Sequence, residues 1–165
     1  MKKTVVISAF TCCGKTYAFE NYQDRYSILD NDSSQFSWCY EYEPTDSDNI
    51  IKYRNPEFPK NYIEHIKENI GKADIIFVSS HLQVRQAMTD AGIRFCTVYP
   101  NPVMRNEWIE RMCRRGDNKS FIDFQIRHWY EFMNNIRSEP HGFGIYRLGN
   151  NEYLDVELLD KILEQ

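Results

Sequence analysis

Ala9-Phe10-Thr11-Cys12-Cys13-Gly14-Lys15-Thr16 is the stretch on which the reading of this chain turns. The short apolar run from Thr4 to Ala9 before it reads as a strand, and the pattern from about Lys15 to Tyr22 after it reads as a helix. A loop that ends a strand and opens a helix can aim several backbone N–H groups at one point, at the positive end of the helix. Gly14 lets backbone come close, Lys15 can reach the outer oxygens of a polyphosphate, and the Thr16 hydroxyl can coordinate Mg2+. The plainer alternative is an ordinary turn and helix start with Lys15 solvated.

Outward from this loop, short strands alternate with helical periods. Tyr26 to Leu29 reads as a second strand, Ala73 to Ser80 as a continuous apolar run suited to a strand buried on both faces, Arg94 to Tyr99 as a fourth and Phe143 to Leu148 as a fifth. Helices are expected over Tyr62 to Ile70, Leu82 to Ala91, Met104 to Arg115, Ser120 to Ile136 and Leu154 to Leu163. The polar and aromatic stretch from Asp30 to Pro59 reads as loops and short helices, because Pro44, Asp46, Ser47, Asp48, Asn49, Pro56 and Pro59 fall within it. Such alternation specifies right-handed crossovers and an α/β three-layer sandwich with a five-stranded, mainly parallel sheet, formed by residues 1–165 as a single domain. Ligands of such sheets bind beyond the carboxyl ends of the strands.

At one such end stand Asp30 and Asp32, which period-two alternation turns to the same side. Carboxylates there can hold Mg2+ or accept the proton of an attacking hydroxyl; equally, Asp30 to Ser34 can form a turn that caps the next helix. The third strand ends in Ser79, Ser80 and His81, where Ser80 could touch the metal or an acceptor. Arg105, Arg111, Arg114, Arg115 and Arg127 form the densest basic stretch, able to neutralise a moving phosphoryl group, although Glu107 and Glu110 lie at the spacing for surface ion pairs. Trp38, Tyr40, Tyr42, Tyr53 and Arg54 suit a planar ring beside a phosphate, or packing of the insertion onto the sheet.

The loop resembles the Walker A motif, with Ala9 in place of its first glycine, and the D-x-D at Asp30 and Asp32 looks like that of shikimate kinase and the nucleoside monophosphate kinases. The chain as a whole resembles the P-loop kinase superfamily and small phage and bacterial P-loop proteins. That resemblance implies a P-loop, nucleotide kinase-like fold and transfer of phosphate from ATP, with Mg2+, to a nucleotide or nucleoside-like acceptor. It implies nucleotide contacts from Ala9, Thr11, Cys12, Cys13, Gly14, Lys15, Thr16 and Tyr17, metal contacts from Thr16 and Asp30, and catalysis by Lys15, Asp32 and the lid arginines Arg111, Arg114 and Arg115. The acceptor is expected in an insertion at about 33–60, against Asp32, Trp38, Arg54 and Ser80, with the lid at about 104–120. Many members end the third strand in an acid that this chain lacks, which favours a small-molecule kinase over a motor. Two other readings stay open: a kinase acting on a hydroxyl of nucleic acid or a modified base in it, and a nucleotide-binding module without catalysis.

Composition agrees with a globular domain. Of 165 residues 42% are apolar and 27% charged, and the net charge of −4 offers no global attraction to nucleic acid or an anionic membrane. No apolar run reaches a membrane span and no secretory pattern follows Met1, so the chain is expected to be cytoplasmic, with its five cysteines reduced. Thiol reagents are expected to reach Cys12 and Cys13 and to compete with nucleotide, if the thiols are reactive.

Overall fold

The computed structural model describes residues 3–43, 46–139 and 144–165, with residues 42, 43 and 46–49 described in backbone alone. Five strands, β1 (Val5–Ala9), β2 (Ile28–Asp30), β5 (Ile75–Ser79), β6 (Phe95–Pro100) and β7 (Ile145–Leu148), form one sheet in the order β2-β5-β1-β6-β7. Every pairing in it is parallel, so the carboxyl ends of all five strands share one edge. β1, the first strand expected from the sequence, lies in the middle with all five of its residues buried.

Alternation along β1 divides the core. Val5, Ile7 and Ala9 face a layer built from α1 (Lys15–Asn21), α5 (Arg105–Arg115), α7 (Trp129–Ser138) and α8 (Val156–Leu163), where Trp108, Trp129, Met133, Leu159 and Ile162 are buried. Val6 turns the other way, against Tyr62, Ile63 and Ile66 of α3 (Lys60–Asn69) and Val84 and Met88 of α4 (Leu82–Asp90). Helices therefore cover both faces, which is why β6 is buried throughout and β5 as far as Val78, in largely apolar runs.

The long helical segment expected over Ser120 to Ile136 is two helices, α6 (Lys119–Arg127) and α7, joined at His128, which caps the end of the first. The last strand starts at Ile145; its expected first residue, Phe143, lies outside the described residues.

One expectation fails. The stretch read as loops and short helices contains, besides the four-residue α2 (Ser34–Ser37), an antiparallel ribbon of β3 (Trp38–Glu43) and β4 (Asp46–Arg54). Turn-forming residues at 46 to 49 outweighed the alternation of Trp38, Tyr40 and Tyr42 with Cys39, Glu41 and Glu43, yet pairing across the ribbon, with a bulge between Tyr42 and Glu43, carries those polar residues into β4. Pro44 lies outside the described residues. No helix among the described residues is long and apolar enough to cross a membrane.

The fully buried Tyr62 joins two strand ends at the functional edge: its hydroxyl donates to the Asn31 carbonyl at 2.6 Å and accepts from the Ser79 amide at 3.3 Å. Tyr62→Phe keeps the ring and removes both bonds, so it is expected to cost about 1–3 kcal/mol in urea denaturation.

Candidate functional site

β1 leads on to β2 on one side of the sheet, whereas its neighbour β6 leads on to β7 on the other side, so the crevice beyond β1 and β6 is a topological switch point. A cavity of about 1110 Å3 opens there, and the loop from Phe10 to Gly14 forms its floor.

Ala9 is not a compromise. It is the last residue of β1, 1% exposed, paired with Ser79 and Val98 on either side, so an extended backbone and a buried methyl group suit it. The left-handed turns fall later: Cys12 has φ 58° and Gly14 φ 101°. A Cβ on Gly14 would meet Cβ of Tyr153 at 3.4 Å and the Leu154 amide at 3.5 Å, ordinary contact distances, so it is the left-handed conformation that calls for glycine.

The carbonyls of the loop are all engaged away from the cavity. Ala9 O accepts from Lys15 Nζ at 2.7 Å, Thr11 O from Trp108 Nε1 at 2.8 Å, Cys12 O from Arg111 Nη1 at 3.2 Å, and Cys13 O from the Leu154 amide at 2.9 Å. Phe10 O accepts from the Cys13 amide at 3.4 Å and Gly14 O from the Ala18 amide at 2.9 Å. The amides of Thr11, Cys12, Gly14, Lys15 and Thr16, by contrast, have no acceptor among the described residues. Such a set of open N–H groups at a helix start can hold an anion.

Lys15 is half-buried, and desolvation holds its ammonium below the ordinary lysine value, against the pull of Cys13 and Asp30. Asp30 is also half-buried; burial pushes its carboxyl up, Lys15 opposes this, and Asp32 adds to it. No hydrogen bond from a described residue reaches the Asp30 carboxylate, so its oxygens are free for a ligand. Asp32 lines the same cavity but is exposed and held by Ser34, whose amide reaches Oδ1 at 2.9 Å and whose hydroxyl reaches Oδ2 at 2.7 Å. The turn-forming alternative thus has a real part in placing Asp32.

The three arginines expected to form a lid differ sharply. Arg111 is buried, lies 3.9 Å from the ring centre of Trp108 and 3.8 Å from that of Tyr153, and pairs with Glu107 while donating to Cys12 O and to Glu152 O at 2.9 Å. Burial and five partners make it a brace that fixes the loop, in place of the mobile lid residue expected. Arg114 is largely exposed and only loosely paired with Glu110 at 3.9 Å. Arg115 chelates Asp117 and also reaches Thr11 Oγ1 at 2.8 Å, which puts its guanidinium beside the loop.

Thr16 and Tyr17 are exposed in the cavity wall, as the helix start requires. Ser80 lines the cavity, and its carbonyl accepts from Arg85, a buried arginine clasped by Glu139 at 2.6 and 2.8 Å. Trp38 and Arg54 do not line it; they pair with each other on the ribbon, the guanidinium 4.8 Å from the ring centre. Desolvation, then Arg54 and Lys15, hold the His81 imidazole below its ordinary value at the cavity mouth. Cys13 is buried and its thiol pushed up to about 12, and burial raises Cys12 as well, so neither is an activated thiol.

Sequence reasoning missed several wall residues. Asn31 and Gln125 are each more than nine-tenths buried, and Asn31 Nδ2 and Gln125 Oε1 have no partner among the described residues. Arg85, Asn151 and Tyr153 also line the cavity. Nothing in a single sequence marks a turn asparagine or a helical glutamine as an open contact; only burial without a partner does. Among the described residues no group of three or more His, Cys, Asp or Glu could hold a metal ion. Thr16 and Asp30 suit a cation that brings most of its ligands with it, as Mg2+ does on a polyphosphate.

Arg111→Ala would strand Glu107 in the interior and free Cys12 O, and is expected to destabilise the fold by about 3–5 kcal/mol by chemical denaturation. For Asp30 the sign is the reverse. A carboxyl raised in the folded state costs stability once ionised, fully above its folded value and not at all below the ordinary value. Asp30→Asn should therefore melt at a higher temperature than the wild type at neutral pH, and the difference should vanish as the pH falls below about 4. No family model matches this chain, and no curated protein matches it.

Proposed function

We propose that the protein is a small P-loop kinase that transfers the terminal phosphoryl group of ATP to a hydroxyl or phosphate of a nucleotide or nucleoside-like acceptor. The observation that carries this reading is the loop after β1, whose carbonyls from Ala9 to Gly14 all have donors within the protein while the amides of Thr11, Cys12, Gly14, Lys15 and Thr16, beside the ammonium of Lys15, have no acceptor among the described residues.

In this reading the open amides hold the β- and γ-phosphates, and Lys15 exchanges its bond to Ala9 O for the outer oxygens. Thr16 and Asp30, both in the cavity wall, would hold Mg2+, which would supply positive charge against the transferring group. Asp32, exposed at the wall, accepts the proton of the attacking hydroxyl, and the open Nδ2 of Asn31 donates to an acceptor oxygen nearby. Arg115, at the loop, and the loosely held Arg114 supply positive charge from the far side. The absence of an acid after β5 fits a kinase in which the end of β2 takes over the metal. The reading places the protein in the cytoplasm, where ATP is plentiful.

One observation favours the second reading, transfer to a hydroxyl in nucleic acid. Lys52 and Arg54 lie 4.4 and 4.8 Å from the ring centre of Trp38, and Tyr40 is exposed beside them, a basic and aromatic face that suits a single strand.

Incubation with labelled ATP and Mg2+ and a panel of nucleosides, nucleotides, small hydroxy acids and oligonucleotides at graded salt tests both readings. Transfer to a small acceptor is expected, together with loss of ATP affinity of at least about tenfold in Lys15→Ala. Unchanged affinity in that variant sinks the kinase reading. ATP binding with no transfer to any acceptor leaves a binding module, and salt-sensitive transfer to oligonucleotides favours the ribbon.

A further inference from the structure

The cavity extends well beyond the space that a triphosphate fills. Its far wall is built from α6 and α7: Phe121, Phe124 and Gln125 from the first, Phe132 and Asn135 from the second, with Phe10 at the base. The rings of Phe132 and Phe124 stand 5.8 Å apart and those of Phe132 and Phe10 6.2 Å apart, so the wall is an aromatic surface.

Gln125 is the exception in that surface. It is 6% exposed, its Oε1 has no hydrogen-bond partner, and its carboxamide makes no hydrogen bond to any described residue. Six buried side-chain atoms among the described residues lack a partner, and only those of Asn31 and Gln125 belong to residues that line the cavity. A buried carboxamide oxygen left open costs stability, so its retention calls for a donor that the chain does not supply. The partner must be flat, to lie against phenylalanine rings, and must offer a donor and an acceptor side by side.

We infer that Gln125 is the specificity-determining residue of a nucleobase subsite and that it reads adenine. A glutamine carboxamide carries one acceptor and two donors, and the N6 and N7 edge of adenine offers the complement; the matching edge of guanine offers two acceptors, of which the carboxamide serves one. The phenylalanine wall stacks the ring, and the loop of Thr11 to Thr16 holds the phosphates at the other end of the same cavity. This rests on the reading of that loop as an anion cradle, and it adds the choice of base.

Calorimetric titration of the wild type and Gln125→Leu with ATP, GTP and inorganic tripolyphosphate tests it. The wild type is expected to bind ATP about tenfold more tightly than GTP or tripolyphosphate. Gln125→Leu should lose that margin, keep its affinity for tripolyphosphate, and melt no lower than the wild type, because leucine fills the site without an open amide. A lower melting temperature with the ATP margin intact assigns Gln125 to packing and overturns the inference. Equal binding of ATP and tripolyphosphate by the wild type overturns it while leaving the anion cradle standing, tighter binding of GTP overturns the choice of adenine, and no binding of any of the three removes the cradle and this inference together. Should the leucine variant fail to fold, Gln125→Glu, which keeps the acceptor and loses the donors, is expected to lose the same margin.

Discussion

The arrangement of the site depends on one constraint: a five-residue turn must keep its carbonyls away from the space that its amides enclose. Backbone polar groups buried without partners are costly, so a turn at the bottom of a cavity holds this shape only if other parts of the protein receive its carbonyls. Three do so here. The indole of Trp108 and the guanidinium of Arg111 come from α5, and the Leu154 amide comes from the segment before α8. Glu107 ties Arg111 to the segment that carries Leu154, since the oxygen that pairs with Arg111 also accepts from the Asn151 amide at 3.0 Å. The left-handed backbone at Cys12 and Gly14 is thus held by parts of the chain about a hundred residues away.

Parallel pairing supplies the rest. Because all five strands run the same way, Ala9, Asp30 and Ser79 end at one edge, and the hydroxyl of Tyr62 fixes the ends of β2 and β5 relative to each other. Two ionisable groups of opposite sign, Lys15 and Asp30, are held half-buried within each other's field, and each is shifted toward its neutral form by lost hydration. A polyanion with its cation would restore to both groups what burial removes.

The fold was legible because β5 and β6 are largely apolar runs and their flanking helices stop at Gly71, Gly92 and Gly116, all in left-handed conformations. The position of the loop was legible because an apolar run ends at Ala9 and a helical pattern begins at Lys15, where β1 ends and α1 starts. The ribbon was not, since residues 46 to 49 favour turns locally and only pairing with β3 makes them a strand. Arg111 was misjudged for a related reason: spacing to Glu107 shows that an ion pair is possible, but not that Trp108 and Tyr153 close over it. Gln125 and Asn31 carry no local signal, because what distinguishes them is a missing partner, a property of the whole fold.

Ala9 and Gly14 place different demands on the side chains that the turn accepts. The first position of this turn is extended, buried and flanked by β5 and β6, so what it restricts is side-chain volume, and a methyl group is within the limit. The conformational demand for glycine falls five residues later, at Gly14. The two ends of the turn thus restrict their residues in different ways, the strand end by volume and the helix start by torsion.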